Sequence, residues 1–295
     1  MTTMSADAPP RATEGRPVGS RGGVHYLVGA VCVFIIALML SPLVMSFFAS
    51  IKTADEAQSV PPSYFPHTLS DENYVKVADY GLGLWTYLSN SLGVAALAIV
   101  MCLILSVTAG YGLARFKIPG KEIIFLILLA PLMIPYQALL IPLYLTFAKL
   151  GLANSLLGLA IVHTVLQVPF SVYLMRNSFE GVPRELEEAA VIDGSTPLQS
   201  FRLVFLPLVV PGLVTVALFA FITSWNEFLA ALIFMNRETA FTIPIMLVAV
   251  RTGHLGAVDW GALQAGVMVS IIPCIIIYVL LQRYYVSGLL SGAVK

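Results

Sequence analysis

Six long apolar runs decide most of what this chain can become. They cover about residues 24–50, 84–114, 123–147, 156–175, 206–235 and 262–285. A helix rises about 1.5 Å per residue and a bilayer core is about 30 Å thick, so roughly twenty apolar residues cross it. Each run meets that length. Hydrocarbon offers no hydrogen bonds, so a spanning segment satisfies its own backbone, and a helix does so. The expectation is an all-α membrane protein with six transmembrane helices. Charge supports it: only 11% of residues are Asp, Glu, Lys or Arg, about half of what a soluble domain carries.

The polar segments divide the runs. Residues 1–23 are rich in Pro, Gly, Ser, Thr and Arg with no apolar period, and read as a disordered cytosolic tail ahead of a permease domain at 24–295. Arg11, Arg16 and Arg21 before an apolar run imitate a signal peptide. The run is too long for one and no small-residue cleavage site follows, so it reads as a retained span. Residues 51–84 form the longest hydrophilic connection, with Pro61, Pro62 and Pro66, and 236–261 reads as a mixed loop. Pro131, Pro135 and Pro142 predict kinks in the third run.

With the N-terminus inside, the inner segments hold eleven of the sixteen Lys and Arg residues: Arg11, Arg16, Arg21, Arg115, Lys117, Lys121, Arg176, Arg184, Arg202, Arg283 and Lys295. The outer segments hold five: Lys52, Lys76, Lys149, Arg237 and Arg251. This excess predicts that both termini are cytosolic.

Between the fourth and fifth runs lies a polar island. Arg184, Glu185, Glu187, Glu188, Asp193 and Arg202 crowd into it. Charges between two spans belong in water, at a membrane face. Pro183 suits a first helical position and Gly194 a helix end needing a left-handed residue. Thr196, Pro197 and Gln199 restart a helix with a capping box. The prediction is helix, Gly turn, second helix.

Glu188-Ala189-Ala190, three residues, Gly194, nine residues, then Val204-x-Leu206-Pro207 resembles the EAA loop of ABC-importer permeases, which usually have Ile where Val204 stands. From about residue 24 onward the chain resembles a carbohydrate-uptake permease of the maltose-transporter type. The carbohydrate part rests on Trp225-Asn226-Glu227 and on the Gly288–Lys295 ending. The resemblance implies a type I importer fold with a cytosolic coupling helix in the 183–207 loop. It implies a second permease subunit, two ATPase subunits, an external solute-binding protein and a sugar. Glu188, Ala189, Ala190, Asp193, Gly194, Leu206 and Pro207 would then serve ATPase coupling. Ala189 and Ala190 would be small enough for close seating.

Trp225, Asn226 and Glu227 admit two readings. They line a substrate pathway, with Trp225 offering a ring face to a sugar. Otherwise Trp225 is an interfacial anchor and Glu227 faces water at the outer boundary. A continuous fifth helix places Glu227 about 30 Å beyond Pro207, toward the outer side. His163 reads as a satisfied buried imidazole rather than a proton relay, because relays come as chains of ionisable groups.

No phosphate loop is present, since Gly120-Lys121 is followed by Glu122, so no cofactor or nucleotide site is expected. Cys32, Cys102 and Cys274 make neither a disulfide frame nor a metal site. Zero net charge gives no case for nucleic acid. A secondary transporter or channel subunit is the alternative. It would need coupling carboxylates or interrupted helices near the midplane.

Overall fold

The computed structural model describes residues 22–251 and 258–293, which contain helices and no strand. It divides into two units, Met1–Met45 and Ser46–Lys295. The described part of the first is most of α1 (Gly22–Ser50), an apolar helix with Pro42 inside it. The expected N-terminal tail lies almost wholly outside the described residues, as do Lys295 and the end of the C-terminal segment.

In the second unit the principal helices are α2 (Leu84–Arg115), α3 (Lys121–Leu129), α4 (Tyr136–Lys149), α5 (Leu156–Glu180), α6 (Arg184–Ile192), α7 (Val210–Asn226), α8 (Leu229–Phe234), α9 (Ile243–Arg251) and α10 (Trp260–Ala293). Among the described residues, four helices are long and apolar enough to cross a membrane; the number is up to six if each of two bent pairs is one span.

The centre is α2 packed along α5, with α7 against both. Small residues allow the approach. A Cβ on Gly110 of α2 would sit 2.7 Å from Met175 Cβ on α5, and one on Gly212 of α7 would collide with the Ser178 side chain. Lipid tails are as apolar as leucine, so helices in a bilayer gain by close backbone packing rather than by leaving water. Cys102, Met175, Phe179, Phe205, Val216 and Ala220 fill one end of this interface. Tyr87, Phe221, Trp225, Ile243, Met246 and Ala265 form a second cluster.

Two of the six apolar runs are not continuous helices. The third turns by 101° between Lys121–Met133 and Tyr136–Lys149. Pro131 and Pro135 remove two donors within five residues, and the turn tightens to a 3₁₀ form at Ala130–Met133 before the chain extends at Ile134. The predicted kink is therefore a break. Pro142 stays inside α4, where Thr146 Oγ donates to its carbonyl at 2.8 Å.

The fifth run breaks twice, at Val209 and at Glu227. Pro197–Leu208 and Val210–Asn226 are bent by 71°. Pro207 and Pro211 both lack an N–H, and a π-helical turn at Phe201–Phe205 precedes them. The expected span from residue 206 thus begins as α7 at Val210 and ends at Asn226. The expected loop 236–261 contains α9, whose Ile243, Ile245, Met246 and Val250 are buried. The 51–84 connection contains a helix at Glu72–Ala78, where Asn73 Nδ2 donates to the carbonyls of Ser50 and Lys52 at 3.2 and 2.7 Å.

Candidate functional site

The charged block forms the predicted helix, turn and second helix. α6 starts at Arg184, because Pro183 has ψ 140° and stands one position outside the expected first turn. Its end is closed by Ser195 N–H donating to Ala190 O at 2.9 Å and Gly194 N–H to Val191 O at 3.0 Å. Gly194 has φ +81°, the left-handed conformation this closure needs. Thr196 then caps the next turn: its Oγ1 accepts from Gln199 N–H at 3.3 Å, and Gln199 Oε1 accepts from Thr196 N–H at 2.8 Å.

The helix has two faces. Ala190 is buried against its own protein, whereas Glu188, Ala189 and Asp193 are exposed. Val191 is 63% and Ile192 84% exposed, and Leu198 and Leu203 beyond the turn are also exposed. The two alanines therefore part company: Ala189 is offered outward and Ala190 is internal packing. Leu206 is half-buried and Pro207 exposed, at the approach to the Val209 bend.

Arg115, the last residue of α2, fastens this block to the bundle. Its guanidinium donates to Phe179 O and Val182 O, both at 2.5 Å. It lies 3.6 Å from Glu187 Oε2 on α6 and 4.6 Å from the centre of the Phe205 ring. Four segments meet on one planar fork, which suits arginine and not lysine. The sequence offered only a cation at a run's end. A second arginine, Arg176 of α5, donates to Glu122 at 2.7 Å and Glu180 at 2.8 Å across the start of α3.

The other polar site lies at the two breaks. Glu227 stands in the gap between α7 and α8, and its carboxylate accepts N–H groups from Ala230 at 3.0 Å and Ala231 at 3.1 Å. A carboxylate at a helix N-terminus meets unpaired donors and the positive end of the helix dipole. His163 of α5 is buried. Its Nδ1 is 2.8 Å from Ser224 Oγ and its Nε2 3.6 Å from Glu227 Oε2. Gln167, one turn further along α5, accepts from Thr223 Oγ1 at 3.3 Å. Tyr136, the first residue of α4, borders the same space as Thr223, Asn226 and Glu227.

Both readings of Trp225 need correction. Trp225 is 3% exposed, stacks on Phe221 at 5.4 Å and donates its indole N–H to Ser270 O of α10 at 3.1 Å. It is neither a free ring face nor an interfacial anchor. The Glu227 side chain is 7% exposed and so does not face bulk water. Asn226 is exposed, with Nδ2 bound to Ile222 O at 2.9 Å. His163 is a partner of Glu227 as well as of Ser224. Sequence gave no sign of this, because the two residues lie on different helices.

Residues 103–290 match the model of the family described as binding-protein-dependent transport system inner membrane component. The chain belongs to this family. It is an ABC-importer permease and a multi-pass membrane protein, which sets aside the secondary transporter or channel. Among the permease's relatives, a probable ABC transporter permease of Bacillus subtilis is 36% identical over 273 residues, covering 90% of this chain and 88% of that one. The permease of a diacetylchitobiose uptake system in Streptomyces coelicolor is 34% identical over 274 residues, covering 93% and 98%. A crystal structure of a bacterial ABC transporter involved in importing the acidic polysaccharide alginate superposes with TM-score 0.77 at 27% identity, covering 91% of the permease and 99% of that chain.

Proposed function

We propose that this permease is one of two membrane subunits of an ATP-driven carbohydrate importer. An external solute-binding protein delivers the sugar, and one of two ATPase subunits docks on the loop at 183–207. Both termini lie in the cytosol, so α6 is on the ATPase side. The sequence has no phosphate loop, and in this reading hydrolysis belongs to the partner. A carbohydrate is favoured because the relatives named above serve diacetylchitobiose and alginate uptake.

The observation that carries this reading is the outward face of α6. A helix with Glu188, Ala189, Val191 and Ile192 exposed, closed at Gly194 and fastened inward through Arg115, is a rigid projection with an unpartnered apolar tip. Glu188 offers a charge for a cationic side chain, Ala189 permits close seating, and Asp193 and Gly194 end the knob. Leu206 and Pro207 carry movement toward α7. The mechanism is alternating access, with the partner supplying the free energy and the permease a pathway with two states.

Co-expression with the ATPase subunit tests it. Ala189→Glu puts a charged side chain on the seating face without touching a span. The variant is expected to reach the membrane in normal amount, pull down at least about tenfold less ATPase, and lose uptake, since an unpaired charge in a contact costs several kcal/mol. Parental ATPase recovery and parental uptake by this variant would refute the docking role.

A further inference from the structure

A cavity of about 430 Å³ opens where the two broken spans restart. Small-molecule sites run from roughly 300 to 1,000 Å³, with a few polar groups on a mostly apolar wall. Here Tyr136, Thr223, Asn226 and Glu227 supply the polar part, and Leu166 and Phe228 are among the apolar side chains. Broken helices in a membrane expose such groups at a depth where a continuous helix would hide its backbone.

The wall has a distinct chemistry. Asn226 spends Nδ2 on Ile222 O, leaving its Oδ1 as an acceptor. Glu227 can only accept while ionised, and both its oxygens already take backbone N–H donors, the pattern of a carboxylate. Tyr136 and Thr223 are neutral hydroxyls. Among the described residues no Lys, Arg or His lines the cavity; the His163 ring contacts Glu227 but is not among the lining residues. Hydroxyl groups of a ligand find acceptors here. A ligand carboxylate finds no cation and meets Glu227, and like charges away from bulk water are poorly screened.

We infer that this cavity takes a neutral polyhydroxylated ring, and that Glu227 is the residue that turns away sugars bearing carboxylates. The inference rests on the carbohydrate-import reading above and adds a site and a selectivity to it.

Saturation-transfer NMR on the complete transporter in nanodiscs, without the binding protein, reads the site directly. The probes are diacetylchitobiose, trehalose and a mannuronate disaccharide. The parent is expected to bind a neutral probe and to give at least about tenfold weaker binding, or none, for the mannuronate disaccharide. Glu227→Gln keeps the size and an acceptor for the α8 amides, so it is expected to admit the mannuronate disaccharide. Tyr136→Phe keeps the ring and removes the hydroxyl, and is expected to weaken the neutral probe about fivefold without admitting the acidic one. The inference falls if the parent binds neither neutral probe or binds all three alike. It falls equally if Glu227→Gln leaves the acidic disaccharide excluded, or if Tyr136→Phe leaves neutral binding unchanged. ATP-driven uptake by the same parental complex with its binding protein separates the two levels. Uptake of a carbohydrate with failed site tests overturns only this inference, whereas no uptake of any carbohydrate overturns the import reading as well.

Discussion

Single residues carry the joints of this permease. Arg115→Leu would remove the guanidinium donor from the carbonyls of Phe179 and Val182, leaving Phe179 O only the Val182 N–H at 3.2 Å, and lose the contact with the Phe205 ring. Breaking a buried charged hydrogen-bond set costs about 3 kcal/mol, so a clear drop in detergent-solubilised melting temperature is expected. Arg115→Lys recovers only part of it, because one ammonium cannot span two carbonyls, a carboxylate and a ring. Outside the spans, Glu56 is held down at about 2, chiefly by its hydrogen bond with the His67 side chain at 2.8 Å. A depressed carboxylate stabilises fully above its ordinary value of 4.5 and loses that contribution as pH falls through about 2. The 56–67 contact should therefore persist at pH 5 and fade between roughly 4.5 and 2. His67→Ala should return Glu56 toward the ordinary carboxylate range, as read by carbon-13 titration of that carboxyl. An unshifted titration would show that the pair does not govern it.

At the scale of elements, the α6 turn tests how far a local rule reaches. A Cβ added at Gly194 would meet nothing within 4 Å, so the cost of Gly194→Ala is the backbone alone. A left-handed non-glycine residue costs about 1–2 kcal/mol, and β-branched Val more. Gly194→Val is expected to loosen α6, seen as faster amide exchange at Gly194 and Ser195, while α2, α5 and α7 keep their protection. This turn was legible in the sequence because its determinants lie within a few residues: Gly194, then Thr196 and Gln199. The breaks were only half legible. Proline predicts a weak point, but whether a helix kinks or turns by 101° depends on what packs across it. The Glu227 site was least legible. His163 and Glu227 are 64 positions apart in sequence and meet only because α5 packs on α7, so periodicity within either run carries no trace of the pair. The α9 helix was missed for another reason, since residues 243–250, eight uncharged residues ahead of Arg251, are too short to register as a run.

For the whole molecule, the distribution of cations predicts the sidedness of every loop. In a variant lacking Cys32, Cys102 and Cys274, a cysteine at exposed Thr68 should react with an impermeant maleimide in intact cells, and one at exposed Glu185 only after lysis. The opposite pattern would put α6 on the wrong side for an ATPase. At this scale apolar length is the legible property: the described residues hold four helices long and apolar enough to cross a membrane and two bent pairs, the second of which, at residues 197–226, lies nine residues earlier than the run read at 206–235.

The bend at Val209 has a mechanical consequence. A straight helix passes an axial push from end to end like a rod. The segment Pro197–Leu208 meets α7 at 71°, so most of a push along the first would act across the second, as a swing about Val209. Such a joint would work as a crank. A short stroke on the first segment would become a sweep of the far end of α7, and that far end is Asn226, beside the gap at Glu227.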